Sequence, residues 1–357
     1  MSVFLDVLVR SSLVLGLGLL AAAALRRQPA AMRHWLLAAA IGFAAVQPVF
    51  ALFLPSWQMP SVWSQEKSLP AAPATSAAET EMSFESVAPL PRPTQQTADW
   101  RRIAIAVWMA GSAVALAVIA LAMGWLGRLR SRASAAGTEW DAALASVQRR
   151  IGVHRRVDIA ITRHPAMLVT WGALRPAILL PADADTWTTD RKELVVAHEI
   201  AHLVRHDWLI QVLAETARAI YWFNPLFWIA CARLRHESEC ASDDIVLETG
   251  IAGTSYASHL VDLARTFSVH GQTWLPAPSI ARPSTLERRV RAMLNPRMNR
   301  RPISAAARFA LAAVVFAISL PIAAASQGTG SPSGMLRDPQ GRVLPGATVR
   351  LSGIGID

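Results

Sequence analysis

Four long apolar runs organise this chain, and polar stretches separate them. The runs cover about Val3 to Leu25, Trp35 to Leu54, Ile103 to Leu126 and Phe309 to Ala325. A helix of about 20 apolar residues is long enough to cross the roughly 30 Å hydrocarbon core of a bilayer. The pattern therefore predicts four transmembrane helices, and the longest polar region, residues 128–302, lies between the third and the fourth.

Composition and charge placement favour a membrane protein over a soluble one. Of the 357 residues, 53% are hydrophobic and 17% are charged, whereas soluble domains contain about 25% charged residues. The net charge is +10, but the arginines stand beside the apolar runs, which is typical of cytoplasmic loops. We therefore expect residues 128–302 in the cytoplasm and both termini outside. The basic stretch from Arg288 to Arg308 is expected to contact lipid headgroups rather than nucleic acid.

Two segments outside the predicted spans differ in composition from the rest. Residues 56–100 are rich in Pro, Ala, Ser, Thr and Glu, which predicts a flexible external loop. Residues 326–357 form a predicted external tail, in which alternating apolar positions around Asp338 to Gly341 predict a β-hairpin. Neither cysteine, Cys231 or Cys240, indicates a disulfide framework.

The hydrophobic pattern within residues 128–302 predicts an α+β domain. It indicates an amphipathic helix from Trp140 to Ile151 and three short strands, which are Val157–Ile161, Met167–Trp171 and Ala177–Leu180. The last strand is interpreted as an edge strand beside the next helix. It either pairs with a substrate as an added strand or forms a plain structural hairpin.

A second apolar stretch in this region runs from Trp208 to Cys231. It carries Glu215 and Arg218 in its middle, and charges at that position disfavour a membrane span. The stretch predicts either a pair of core helices or an element that lies in the membrane face.

The strongest chemical signal is the pentapeptide from His198 to His202, which reads His-Glu-x-x-His within an apolar run. Residues four apart share one face of a helix, so both imidazoles can reach one zinc ion at about 2.0–2.1 Å. Glu199 lies beside that face and can act as general base on a metal-bound water. The motif therefore predicts a zinc-dependent hydrolytic site.

A zinc site of this kind needs a third ligand. Along a straight helix His206 is about 12 Å from His198, so it is expected on the helix surface or supporting another ligand. Glu239 and Asp243 are four residues apart on a helix that Asn224 and Pro225 are expected to begin. We predict Glu239 as the third ligand and Asp243 as the acceptor that orients a ligand histidine. A solvated acidic helix face is the alternative. The candidates considered were His206, Glu215, His236, Glu237, Glu239 and Asp243.

These motifs together resemble the BlaR/MecR family of integral-membrane zinc peptidases. The resemblance covers about residues 1–325 and is carried by the following segments: His198–His202 followed by Arg205-His206-Asp207, Trp222-Phe223-Asn224-Pro225, the Glu239 and Asp243 pair, Gly172–Pro181, and Ser284–Val290. The tail is similar to the start of a carboxypeptidase-regulatory-like β-sandwich. In BlaR/MecR sensors the corresponding position holds a penicillin-binding domain with a Ser-x-x-Lys nucleophile. Residues 326–357 lack such a domain, so β-lactam sensing is not expected.

The expected fold is mainly α, with four transmembrane helices and an inserted α+β, gluzincin-like zinc peptidase domain. The expected divisions are 1–127 for three spans with the loop, 128–302 for the peptidase, 303–325 for the fourth span and 326–357 for the tail. The resemblance implies a multi-pass protein of the bacterial inner membrane that cleaves a transcriptional repressor or itself during signalling.

Two other functions stay open. One is a CAAX-protease or heat-shock type of membrane metalloprotease. The other is a non-catalytic signal transducer whose metal site only stabilises the domain, which Glu199 disfavours because a structural zinc site needs no base.

Overall fold

The computed structural model of the protein describes residues 2–53, 100–164, 168–172, 174–269 and 283–324. The predicted tail with its hairpin lies outside these residues, and so does the predicted external loop up to residue 99. The described helices are α1 (Ser2–Ala24), α2 (Ala30–Phe53), α3 (Trp100–Arg132), α4 (Thr138–Ile151), α5 (Thr189–Val204), α6 (Asp207–Ile220), α7 (Pro225–Glu248), α8 (Gly253–Val269), α9 (Pro283–Met293) and α10 (Ala305–Ala324). The described strands are β1 (Ser134–Ala135), β2 (Asp158–Ile161), β3 (Val169–Trp171) and β4 (Ala177–Leu180).

Three helices in the described part of the chain are long and apolar enough to cross a membrane. They cover Leu5–Ala24, Trp100–Arg132 and Ala305–Ile322, within α1, α3 and α10. These helices correspond to the first, third and fourth predicted spans. The second predicted span corresponds to α2, which is not among the three, so a total of four spans stays a prediction.

Helix α2 is surrounded by other helices. It packs against α1, α7 and α10, and its residues Leu37, Ala40 and Ala44 are buried. A β-carbon at Gly18 of α1 would lie 2.6 Å from the Cβ of Ala40. Because glycine has no side chain, α1 and α2 can approach closely at this point, as small residues allow in membrane helix pairs.

The four strands form one mixed sheet in the order β1-β2-β4-β3. Strand β2 runs parallel to β4, whereas β3 pairs with the other side of β4 in antiparallel register, with Thr170 opposite Ile178. The prediction that Ala177–Leu180 is an edge strand is therefore wrong. All four of its residues are buried because β4 lies between two strands and under helices, and an apolar run is typical of such a strand. The strand next to α5 at the edge is β3.

Helix ends follow local capping rules. Helix α4 ends at Gly152, whose φ of +76° is a left-handed conformation that glycine adopts without strain. The Thr188 hydroxyl accepts a hydrogen bond from the backbone N–H of Arg191 and caps α5. Asn224 caps α7 in the same way through Leu226, and Pro225 occupies the first turn. The predicted start of α7 is confirmed.

Packing of α4 and α5 against the sheet forms the core of the domain between α3 and α10. Trp140 is fully buried, and its ring meets that of Trp187 edge to face at 6.1 Å between centroids. The buried side of α5 contributes Leu194, Val195 and Ile200 to this cluster. These contacts fix the rotation of α5 about its axis and so decide which of its side chains face α7.

Candidate metal centre

The structure brings His198, His202 and Glu239 together between α5 and α7. The two Nε2 atoms lie 3.2 Å apart. The Glu239 carboxylate lies 3.5 Å from the Nε2 of His198 through Oε2 and 3.7 Å from the Nε2 of His202 through Oε1. In the described part of the chain, these residues form the group of potential ligands whose donor atoms all lie within 4.8 Å of one another.

These distances suit a tetrahedral metal ion. Two ligand atoms that are each 2.0–2.2 Å from a tetrahedral centre are separated by roughly 3.3–3.6 Å. The observed separations of 3.2, 3.5 and 3.7 Å are close to that range. Two imidazoles and a carboxylate are also a donor set that zinc accepts, so the residues present fit this ion.

The orientation of His202 is set by Asp207 at the start of α6. The Nδ1 of His202 lies 2.8 Å from Oδ2 of Asp207, which also accepts a hydrogen bond from Ser238 at 2.7 Å. Burial raises the pKa of Asp207, but Arg205, His202 and His34 together outweigh burial and hold that pKa below its usual range. Asp207 is therefore a carboxylate that accepts the Nδ1 proton and leaves Nε2 of His202 facing the centre.

His198 is oriented by two residues in sequence-distant helices. The Tyr256 hydroxyl of α8 donates to Asp243 at 2.6 Å and lies 2.8 Å from the Nδ1 of His198. Because the single hydroxyl proton goes to Asp243, the Tyr256 oxygen accepts the Nδ1 proton of His198. The Asp243 Oδ1 itself lies 3.3 Å from that Nδ1. The sequence predicted that Asp243 orients a ligand histidine, and the histidine that Asp243 contacts is His198.

A buried arginine balances the charge of the two acidic residues. Arg289 of α9 is fully buried and donates to both oxygens of Asp243, at 2.8 and 2.7 Å. Its third nitrogen lies 3.0 Å from Oε2 of Glu239. Burial raises the pKa of Glu239, but Arg289 and His198 outweigh burial, so the pKa is well below its usual range. Glu239 is thus available as an anionic ligand.

The proton balance of His198 follows from the same neighbours. Burial lowers the pKa of His198, but the hydrogen bonds with Asp243 and Glu239 outweigh burial and raise it to about 9. Without metal, His198 therefore carries a proton on the face that would bind the ion. Metal binding must displace this proton, as is general for histidine ligands.

Glu199 is buried next to the two histidines and has a partner of its own. The Thr170 hydroxyl of β3 donates to Oε2 of Glu199 at 2.6 Å. This contact fixes the carboxylate against the edge strand and leaves its second oxygen for other partners. The predicted base therefore lies beside the candidate ligands and against β3, an edge strand of the sheet.

The other acidic and histidine candidates lie outside the group. His206 is exposed and has a φ of 58°, because the chain turns there between α5 and α6. Glu215 pairs with Arg218 and Arg235, and Glu237 pairs with Arg33 of α2.

Sequence reasoning assigned no role to four residues of the site, which are Thr170, Asp207, Tyr256 and Arg289. Asp207 and Arg289 stood within the motifs that carry the family resemblance, which was the only available signal for them. Thr170 and Tyr256 belong to elements that meet α5 only in the folded chain, so the sequence held no local signal for them.

Comparison with known proteins identifies related sequences. A sequence model described as "BlaR1 peptidase M56" matches residues 2–293. Over 145 residues the chain is 29% identical to "Regulatory protein BlaR1" of Bacillus licheniformis, and the match covers 40% of this chain and 24% of the relative. Over 155 residues it is 21% identical to the "Methicillin resistance mecR1 protein" of Staphylococcus aureus and of Staphylococcus epidermidis, covering 43% and 26%. The matches thus span about a quarter of the length of these relatives.

Replacing Arg289 by methionine should destabilise the protein strongly. The substitution leaves the buried carboxylates of Asp243 and Glu239 without their cation, which typically costs about 3–5 kcal/mol. The measurement is thermal and denaturant unfolding of the metal-free protein in detergent. Arg288→Met is the matched control, since its side chain is exposed on the same helix and should change stability by no more than about 0.5 kcal/mol. Equal unfolding midpoints for both variants would show that Arg289 does not balance the site.

Proposed function

The chain belongs to the BlaR1 peptidase M56 family, and from this we propose that it is a membrane-embedded zinc metalloendopeptidase that acts in transmembrane signalling. In this proposal His198, His202 and Glu239 hold the zinc ion and Asp243 orients His198. The observation that carries it is the convergence of three ligand atoms at 3.2 to 3.7 Å, with both imidazoles anchored through Nδ1. The substrate is proposed to be a transcriptional repressor or the chain itself.

Zinc, when bound, lowers the pKa of a water molecule to about 7 and polarises the carbonyl of the scissile peptide bond. Glu199 accepts the proton that the attacking water gives up and returns it to the leaving amine. Thr170 holds one carboxylate oxygen of Glu199 at 2.6 Å, so the other oxygen is left for proton transfer. Structural metal sites need no such base, which disfavours a transducer without catalytic activity.

Strand β3 is the element proposed to bind the substrate. Among the described strands it has one neighbour, β4, so its other edge has backbone groups that can pair with an extended peptide. Thr170 lies in the middle of β3 and contacts Glu199. A peptide added along this edge would therefore pass beside the base. The predicted substrate role of the edge strand is thus moved from Ala177–Leu180 to Val169–Trp171.

We place the protein in the bacterial inner membrane with residues 128–302 on the cytoplasmic side. Two helices in particular support this placement. Helix α3 ends with Arg128, Arg130 and Arg132, and a basic segment precedes α10. Because positively charged residues concentrate on the cytoplasmic side of membrane spans, both ends that flank the domain favour that side.

A membrane quality-control metalloprotease of the CAAX-protease or heat-shock type is the second candidate. It would use the same pair of motifs, and the site geometry does not separate the two. The family match over residues 2–293 favours the signalling enzyme.

Replacing Glu199 by glutamine should stop cleavage while zinc remains bound. Glutamine cannot accept the proton, and loss of a general base typically lowers the rate by 10²–10⁴-fold. The measurement is zinc content together with self-cleavage of the full chain in lipid vesicles, followed on gels. Glu193→Gln on the same helix is the control for the substitution, and Glu239→Ala should lose zinc. Zinc-free wild-type protein, or full cleavage by Glu199→Gln, would overturn the proposed enzyme.

Replacing Asp207 by asparagine should weaken zinc binding by about 10–100-fold. The carboxylate that accepts the Nδ1 proton of His202 is lost, so the imidazole is less well oriented and less basic. The measurement is competition with a zinc chelator for the purified protein. Asp262→Asn on α8 changes an exposed carboxylate and is the control. Unchanged affinity in Asp207→Asn would remove Asp207 from the site.

Reporter fusions at the ends of α3 and α10 should lie on opposite sides of the membrane. A fluorescent reporter after Arg132 should be active in the cytoplasm, and alkaline phosphatase after Ala324 should be active outside, because the basic residues fix the orientation. Whole-cell fluorescence and phosphatase activity give the measurement. A phosphatase that is active when fused after Arg132 would reverse the proposed orientation.

A further inference from the structure

The turn between α6 and α7, residues Tyr221 to Asn224, is held by the long apolar helices. The Tyr221 hydroxyl donates to the carbonyl of Ala45 in α2 at 2.9 Å. The side-chain amide of Asn224 donates to the hydroxyls of Ser11 and Ser12 in α1, at 3.2 and 3.1 Å. The polar side chains of Tyr221 and Asn224 therefore bond to protein groups of α1 and α2.

Helix α3 contacts the same turn from a third direction. The Trp108 indole and the Ser112 hydroxyl both donate to the carbonyl of Ile220, at 2.9 and 3.3 Å. A β-carbon at Gly111 would lie 2.5 Å from the ring of Trp222, so glycine permits this close approach. In hydrocarbon, non-helical backbone is tolerated only where protein groups bond to it. In this turn the N–H of Asn224 donates to the carbonyl of Tyr221, and the carbonyl of Trp222 accepts from the Trp228 indole, both at 2.9 Å.

The contacts give independent estimates of how far the turn lies from the arginines at the spans' ends. Ser12 precedes Arg26 by 14 residues in the chain, and Ala45 follows Arg33 by 12 residues. At 1.5 Å per residue these separations are about 21 and 18 Å. These two estimates agree. The length of α6, from Asp207 to Ile220, places the turn a similar distance, about 20 Å, from the metal centre. The turn therefore lies deep among the helices that flank it.

Large apolar side chains on α6 and the first half of α7 are exposed. Leu213 and Ile229 are 60% and 53% exposed, which is comparable with Leu121 of the candidate span α3 at 72%. The exposed apolar residues of this surface are Leu209, Leu213, Trp228 and Ile229. Helix α6 packs against α3, which also has exposed apolar side chains along its length.

The charged residues on the two helices are paired, as a low-dielectric environment requires. Glu215 forms ion pairs with Arg218 and Arg235. The Arg218 guanidinium also lies over the ring of Trp228, at 4.0 Å from its centroid. Charges inside a membrane are tolerated mainly when they pair in this way. The mid-run charges therefore exclude a simple span but allow helices that enter and leave on one side.

We propose that α6 and the first half of α7 form a re-entrant hairpin whose exposed apolar face contacts lipid acyl chains. Its turn lies about 20 Å inside the membrane from the border marked by Arg26 and Arg33. The partner is thus the hydrocarbon of the bilayer rather than another protein. The inference rests on membrane embedding and is independent of the proposed peptidase activity.

The test is the depth of single nitroxide labels in the full chain, reconstituted in phosphatidylcholine and phosphatidylglycerol vesicles. Labels replace Leu213 or Ile229 in a chain in which Cys231 and Cys240 are alanine. Power-saturation resonance compares collision with oxygen, which enters the membrane, and with a water-soluble nickel chelate. Both labels should give an oxygen-to-nickel ratio like that of a label at Leu121.

Two control labels give reference ratios, one inside the membrane and one in water. Leu121 of α3 lies seven residues before Arg128, so it marks a depth of about 10 Å. Leu174 is 92% exposed in the turn between β3 and β4 and should report water. A ratio at Leu213 or Ile229 equal to that at Leu174 would overturn the hairpin. Zinc binding and cleavage are measured separately, so this failure would leave the proposed enzyme standing.

Discussion

The site depends on the hydrogen bonds that the Nδ1 atoms of His198 and His202 make. Asp207 holds His202 directly, and Asp243 holds His198 through the hydroxyl of Tyr256. Each contact assigns the Nδ1 proton and leaves Nε2 facing the centre. Since burying two carboxylates without a cation would be costly, Arg289 pairs with Asp243 and approaches Glu239. The centre is therefore one charge-balanced cluster rather than three separate ligands.

That cluster explains why elements far apart in the chain must pack together. Helix α5 supplies the histidines, α7 supplies the acidic pair, α8 supplies Tyr256 and α9 supplies Arg289. The α9 contribution comes from the segment that directly precedes the last apolar helix. A change in the position of α9 would withdraw the cation from two buried carboxylates, so the docking of α9 and the geometry of the centre are energetically linked.

Features with a local period were predictable from sequence, and features that depend on tertiary pairing were not. One turn of helix separates His198 from His202, and another separates Glu239 from Asp243, so the composition of each face followed from spacing alone. The order of the strands did not: an apolar run reads the same at an edge and in the middle of a sheet. The contact between Arg289 and Asp243 joins residues 46 positions apart, and no periodicity encodes such a pairing.

Helix α7 shows how one element can serve two environments. Its first half is apolar except for paired or cap residues, whereas its second half carries Glu237, Glu239 and Asp243 in buried, hydrogen-bonded positions. The sequence left a core helix pair and a membrane-face element open for Trp208 to Cys231, because Glu215 and Arg218 interrupt an otherwise apolar stretch. A polar centre at one end requires a rigid, desolvated scaffold, and helices anchored at the other end among apolar neighbours supply it. The apolar first half of α7 is thus part of what positions Glu239.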